Sequence, residues 1–398
     1  MDNFLRQWIT SNITFGKDKK KSISVLDIAF VLAVGIAGFV MRFAMRGFAS
    51  ADYNIYIGPW MEKIQEVGGL TSIGMEIGNY PPLYMYFFAV LTYLPCSYLT
   101  SVKLLGVVFD YLLAIGCGKV VYQAAKSKNK ALLTYGVVLL LPTVAVDSGL
   151  WAQVDSIYAT FLIFSLLYIM QGKSVKSFVL YGLAFALKLQ CLFLLPLYIV
   201  LWVKKKEMKL WHFLLIPVMY FTSVIPAWIA GRSLKDLLLI YFNHYGEYTS
   251  LLSYNRPNGY TLTVTDLLQE YIGGAGTWFT LGLLIILMAF LVMKNHQINE
   301  VHMIHAGLLM MMTVTFFLPY MHERYGYVAD LLAVMYGIIY IRKFYITILC
   351  VMCSLGGYVG FITGTFPIPY TVLAVGYLYA MYVVARDLYE KLRQHEET

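Results

Sequence analysis

The chain has 398 residues, 60% of them hydrophobic and 13% charged, with a formal net charge of +8; an ordinary soluble domain carries about 25% charged residues. Water is therefore excluded as the only solvent. Most basic residues fall in short loops between apolar runs, which makes the charge a matter of membrane orientation and argues against nucleic acid as a partner.

Apolar runs long enough to cross a hydrocarbon core, about 20 residues as a helix, recur from Val25 to Ala385. They predict an all-α polytopic membrane protein with about twelve transmembrane helices, at 25–47, 100–122, 131–147, 154–170, 177–189, 190–203, 211–230, 275–294, 302–320, 326–341, 344–364 and 369–386. Residues 1–24 are polar and lysine-rich and are expected in the cytoplasm. The membrane domain follows at 25–386, with a first outer loop at 48–99 and a second long one at 231–274, and 387–398 form a cytoplasmic tail. The five cysteines lie mostly inside apolar runs, without metal-ligand spacing, and read as packing residues.

A cytoplasmic amino terminus places Lys17, Lys19, Lys20, Lys21, Lys126, Lys128, Lys130, Lys173, Lys176, Lys204, Lys205, Lys206, Lys209, Lys294, Arg342, Lys343, Arg386, Lys391 and Arg393 inside. It leaves Lys63, Arg232, Lys235, Arg256 and Arg324 outside. This lysine and arginine bias is the ordinary signature of orientation, and it puts both termini in the cytoplasm. It also settles two ambiguous stretches. Pro81–Pro95 is apolar enough to span, but crossing there would expose the lysines of 124–130 on the outside, so it is read as an amphipathic or shallowly re-entrant helix of the first outer loop. The run 178–203 has basic residues at both flanks, so it is read as a hairpin of two short helices turning near Lys188, Leu189 and Gln190 and shielded by protein.

With this topology five separate outer connections carry polar motifs: Ala51-Asp52-Tyr53-Asn54, Gly78-Asn79-Tyr80-Pro81-Pro82, Trp151-Ala152-Gln153-Val154-Asp155, Asn255-Arg256-Pro257-Asn258-Gly259-Tyr260 and His322-Glu323-Arg324-Tyr325. One such motif alone reads as a solvated loop or an aromatic anchor; five on one side are what a shared pocket requires. Asp52 is the candidate base, because an ionised carboxylate within hydrogen-bond reach can take the proton of a sugar hydroxyl. Arg256, Arg324, His322 and Lys188 are donors able to grip a phosphate. Asp110 lies inside an apolar span, and its default reading is structural pairing with Lys103 or a backbone donor.

The pattern resembles the GT-C superfamily of membrane glycosyltransferases, which take a sugar from a polyprenyl or dolichyl phosphate on the non-cytoplasmic face. Ala51-Asp52-Tyr53 is similar to the acidic first-loop motif of that superfamily. Asn79-Tyr80-Pro81-Pro82-Leu83 is similar to the Tyr-Pro-Pro-Leu segment of its dolichyl-phosphate-glucose-dependent glucosyltransferases. Trp151-Ala152-Gln153-Val154-Asp155-Ser156 resembles their Phe-Gln-Tyr-Asn-Ser segment, His322-Glu323-Arg324-Tyr325 their His-Glu-Lys motif, and Lys188-Leu189-Gln190 their Tyr-Lys-Gln. The overall wording looks closest to bacterial proteins related to the second GPI mannosyltransferase. The chain departs from the pattern in having no Asp-x-Asp, which argues against a metal, and in carrying Asp155 where the glucosyltransferases have Asn.

The resemblance implies an inverting transfer of a hexose (mannose, glucose or galactose) from a polyprenyl-phosphate sugar to a glycan or glycolipid acceptor. Asp52 would be the catalytic base and no cofactor would be needed. Asp155, Lys188, Arg256, His322, Glu323, Arg324 and Gln153 would bind substrate, with Tyr53, Trp151 and other outer aromatics holding sugar faces. The expected setting is a bacterial cytoplasmic membrane, among its lipids, with the site facing outward. The competing readings are a transporter or lipid flippase, for which Asp110 is the one candidate coupling carboxylate, and a polymerase or ligase of lipid-linked saccharides.

Overall fold

The computed structural model describes residues 12–14, 22–243, 250–262, 269–294 and 297–394. Lys17, Lys19, Lys20 and Lys21, on which part of the orientation argument rests, lie outside the described residues. The described chain is helical almost throughout. The exceptions are two small strand pairs: β1 (Asn12–Thr14) with β2 (Ser22–Ser24), antiparallel, and β3 (Ser253–Tyr254) with β4 (Met321–His322), parallel.

Seven described helices are long and apolar enough to cross a membrane, or eight if one bent pair counts as a single span. The protein is therefore a multi-pass integral membrane protein. In chain order the helices are α1 (Val25–Ala44), α2 (Gly58–Val67), α3 (Pro82–Leu91), α4 (Tyr98–Ala125), α5 (Lys128–Leu139), α6 (Asp155–Met170), α7 (Ser174–Leu187) and α8 (Leu195–Lys204). They continue with α9 (Leu215–Ile229), α10 (Leu234–Asn243), α11 (Gln269–Met293), α12 (Glu300–Phe317), α13 (Tyr327–Ile339), α14 (Phe344–Thr363) and α15 (Tyr370–Gln394).

Local chemistry accounts for the boundaries that matter. Ser24 opens α1 with a reciprocal cap: its hydroxyl accepts from the Asp27 N–H at 3.1 Å while the Asp27 carboxylate accepts from the Ser24 N–H at 2.9 Å. The expected span 131–147 is broken. Pro142 bars Leu141 from helical geometry (ψ 127°), and the helical segment Pro142–Leu150 leaves α5 at an angle of 46°. Pro82–Leu91 is ten residues long, about 15 Å, too short to cross.

The two short helices expected around Lys188 are present. Lys188 itself is extended (φ −155°, ψ 133°) between α7 and a 3-10 turn at Leu189–Leu194 that leads into α8. The chain reverses there: Phe178 and Tyr181 of α7 pack on Tyr198 of α8 with ring centroids 5.6 and 4.8 Å apart. Four helices at expected spans, α6, α7, α8 and α13, fall short of a bilayer's width. α13 is buried along its length from Tyr327 to Ile338, the condition under which a short helix persists at membrane depth.

α4 packs against α5 and α6, α6 against α7, and α13 against α14. In the segment 231–274, α10 and β3 are described, residues 244–249 and 263–268 lie outside the described residues, and α11 starts at Gln269, earlier than expected. α15 continues unbroken through the boundary at 386 to Gln394, so residues 387–394 of the expected tail are helical, and 395–398 lie outside the described residues.

Candidate functional site

Asp52 follows α1 in a helical turn, and Ser50 ties that turn to the connection before α6. The Ser50 hydroxyl donates to the Trp151 carbonyl at 2.8 Å and accepts from the Tyr53 N–H at 3.1 Å. Across this junction the Asp52 carboxylate receives Trp151 Nε1–H and Gln153 Nε2–H, each at 3.0 Å and both on Oδ2, with Arg324 Nη2 3.7 Å from the same oxygen. Two neighbouring side chains reach one oxygen because Ala152 between them adopts a left-handed conformation (φ 63°). An L side chain enters that region at a cost of about 1–2 kcal/mol.

A second carboxylate stands beside the first. Asp155 opens α6 and is only 1% exposed; its Oδ1 is contacted by the Lys188 ammonium and its Oδ2 lies 3.5 Å from Arg324 Nη1. Arg324 spreads its guanidinium over the junction. Nη1 donates to Gln153 Oε1 at 2.5 Å, Nε donates to Glu323 Oε1 at 3.2 Å, and the cation lies 5.1 Å from the centre of the Trp151 ring. Lys188 reaches the site because the break between α7 and α8 leaves it extended, over the ring of Tyr158 at 5.6 Å. Tyr80, Tyr84, Gln153, Asp155, Tyr158 and Lys188 enclose a small cavity of about 10 Å³, room for about one water.

The residues 318–326 between α12 and α13 deliver Arg324. β4 pairs with β3 there, and His322 stacks on Tyr254 with ring centroids 4.5 Å apart and planes 5° apart. Burial, with the charges of Arg324 and Lys188 adding to it, holds the His322 imidazole down at about 3. Burial pushes the Glu323 carboxyl up, opposed by Arg324. His322 is thus neutral at ordinary pH, and its 3.9 Å approach to Glu323 is not a salt bridge there.

Five expected site residues meet directly: Asp52, Gln153, Asp155, Lys188 and Arg324, with Trp151 and Glu323 bonded to them. Four expectations need correction. Trp151 holds no sugar face, because it is fully buried; its ring stacks on Phe361 at 4.7 Å, and its contribution is the N–H given to Asp52. Tyr53 turns toward Gly58 and the core, and the tyrosines beside the carboxylates are Tyr80, Tyr84 and Tyr158. Arg256 does not face a phosphate: it is wholly buried, donates from Nη1 to Ser354 Oγ at 2.7 Å, and Ser354 Oγ donates to Asp330 Oδ1 at 3.0 Å. His322 is not a cationic donor, for the reason of burial just given. Gly326 belongs to the Arg256 contact, since a Cβ there would stand 2.2 Å from Arg256 Nη1.

Asp110 is paired, but not with Lys103. Its Oδ2 accepts from Arg42 Nε at 2.7 Å and from Ser148 Oγ at 2.5 Å, while Lys103 turns to the carbonyls that end α1, at 2.9 Å for Met45 and 2.7 Å for Phe48. Sequence reasoning missed Asp147. It is fully buried; its carboxylate accepts from the Asp155 N–H at 3.2 Å and its carbonyl from the Gln153 N–H at 2.8 Å, so it sets the backbone from which both side chains project. The available signal was a carboxylate at the edge of an apolar run, which is costly unless it is used.

Among the described residues no group of three or more His, Cys, Asp or Glu side chains is arranged to hold a metal ion. No protein-family model matches the chain, and no curated protein is similar to it at a significant level.

Proposed function

We propose that the protein is an inverting glycosyltransferase of the GT-C type, moving a hexose from a polyprenyl-phosphate sugar to a glycan or glycolipid acceptor, with Asp52 as the base. The observation that carries this reading is the meeting of Asp52, Gln153, Asp155, Lys188 and Arg324 from four separate connections at one end of the helical bundle. The reading includes about twelve crossings, a site on the non-cytoplasmic face and both termini in the cytoplasm of a bacterial cell, for which the distribution of lysine and arginine is the support.

The acceptor hydroxyl oxygen attacks the anomeric carbon, the bond from that carbon to the phosphate oxygen breaks, the hydroxyl proton passes to Asp52, and polyprenyl phosphate departs with the bonding pair. Asp52 suits the base: its side chain is 19% exposed, and its described hydrogen bonds all fall on Oδ2. Arg324 and Lys188, each 14% exposed, suit the departing phosphate, a planar fork and a point charge sharing one buried carboxylate. Asp155 then positions the two cations. The cavity beside Lys188 is too small for a sugar, so donor and acceptor approach from the side where Asp52, Lys188 and Arg324 are exposed.

The transporter reading loses its candidate coupling group, because Asp110 is locked between Arg42 and Ser148. The deciding assay incubates purified protein with polyprenyl-phosphate hexoses and an extract of cell-envelope glycans and glycolipids as acceptors, and measures release of polyprenyl phosphate. Asp52→Asn keeps the shape, loses the proton acceptor, and is expected to slow release by about 10²-fold or more with the fold intact. Near wild-type release by that variant would move the base to Glu323. No release from any such donor by the native protein would end the transferase reading.

A further inference from the structure

At the end of the bundle away from Asp52, the helix starts of α1 and α5 and the turn entering α14 carry a basic rim. Lys128 Nζ pairs with Asp27 of α1 at 2.5 Å, Lys130 Nζ donates to the Ile339 carbonyl at the end of α13 at 2.7 Å, and Lys343 pairs with Asp387. These contacts fix the cations in place. Arg342, next to Lys343 in the turn entering α14, is exposed, and among the described residues nothing pairs with its guanidinium. With Lys391, which stands over the Tyr340 ring at 3.0 Å, five cations share this end with the carboxylates Asp27 and Asp387.

A groove runs from this rim toward the middle of the bundle, between the same three helices. Its volume is about 500 Å³, within the range of about 300–1,000 Å³ typical of ligand pockets. Phe30 and Val34 of α1, Leu133 and Leu140 of α5, and Ile348 and Met352 of α14 line it. The chain bends by 46° at Pro142, and it is the segment after the bend that packs on α14, which leaves a gap between α5 and α14; Gly136 lets the Phe30 ring close the α1 side, since a Cβ there would stand 3.1 Å from it. The hydroxyl in its wall, on Thr347, is already spent on the Ala333 carbonyl at 2.7 Å. The wall therefore asks for an apolar chain and offers a polar one nothing.

We propose that this groove is a binding site for an anionic phospholipid of the leaflet beside the basic loops. One acyl chain lies between α1, α5 and α14, and the phosphate is held by Arg342 with Lys128 and Lys130 beside it. Basic pockets between transmembrane helices select anionic head groups through the same combination of apolar wall and cationic rim. This inference is independent of the transferase reading, since none of its residues touches Asp52 or Arg324.

The test reconstitutes the full chain in bilayers of phosphatidylcholine containing phosphatidylglycerol, extracts it gently, and counts retained lipids by native mass spectrometry. Retention of phosphatidylglycerol in preference to phosphatidylcholine is expected. Arg342→Gln alters an exposed side chain without a described partner, so the fold stays; it should weaken the preference about fivefold, the scale of one surface charge near a lipid head group. Leu133→Trp with Leu140→Trp fills the groove and should remove the retained lipid altogether. Equal retention of the two lipids by the native protein, or an unchanged preference in Arg342→Gln, would overturn the proposal. Arg342→Gln decides the matter alone if the tryptophan variant fails to fold.

Discussion

Asp52 and Asp155 are the same functional group in two environments, and the environments assign them different work. Asp52 takes its hydrogen bonds from neutral donors on one oxygen, with Arg324 3.7 Å away, and is partly exposed; Asp155 is buried between two cations. Removing Asp155 would leave Lys188 and Arg324 beside each other without their shared counter-charge. Breaking a buried ion pair on one side costs about 3–5 kcal/mol, so Asp155→Ala should lower the thermal midpoint in detergent strongly, whereas Asp52→Asn should leave it nearly unchanged. His322 gives a pH signature. Its folded pKa, about 3, lies below the ordinary 6.5, so the folded state binds fewer protons than the unfolded state as pH falls. The stability it contributes is complete above about 6.5 and is lost as pH falls toward about 3. Glu323, with a raised pKa, acts in the opposite direction. Comparison with His322→Gln isolates the histidine: the native protein should lose stability relative to that variant as pH is lowered through this window. Asp52 was legible from its place after the first apolar run. Arg256 was misread because an arginine in a loop carries no mark of burial; only the packing of α14 and α15 around it supplies that.

At the scale of elements, the connection from Pro142 to Asp155 does most to build the site, and little of it was legible. Hydropathy runs straight through Leu140-Leu141-Pro142, so one span was expected where Pro142 introduces a bend. The left-handed Ala152 has no sequence signal either, because glycine or asparagine would be the ordinary occupant. A β-branched side chain tolerates that conformation worst. Ala152→Val should therefore destabilise the protein by about 2 kcal/mol, and Ala152→Gly should not; thermal unfolding of the two variants side by side checks the order. The break at Lys188 was legible, for a different reason. Basic residues flank the run 178–203 on both sides, and a membrane segment with two such flanks must turn back.

For the whole molecule, the charges at the apolar run ends predict which residues face which compartment. A cysteine replacing Lys205 should resist an impermeant thiol reagent added outside intact cells, and one replacing the exposed Glu76 should react. Labelling of the first from outside would reverse the orientation. The all-helical, multi-pass character was legible from composition and run length alone. The crossing count was less so, because α6, α7 and α8 are apolar but, like α13, too short to span unaided; burial of a short helix such as α13 is a property of its neighbours.

The bonds that close the site join residues far apart in the chain: 99 positions separate Asp52 from Trp151 and 171 separate Gln153 from Arg324. A chain made from its amino terminus inserts Asp52 first, then Asp155 and Lys188, and the guanidinium that binds them together enters late. Until then Asp155 has Lys188 as its one cationic partner, and Asp52 has only the neutral donors Trp151 and Gln153. Arg324 thus joins Asp52, Gln153 and Asp155 at once, and the site's frame closes only when α14 brings Phe361 onto the Trp151 ring.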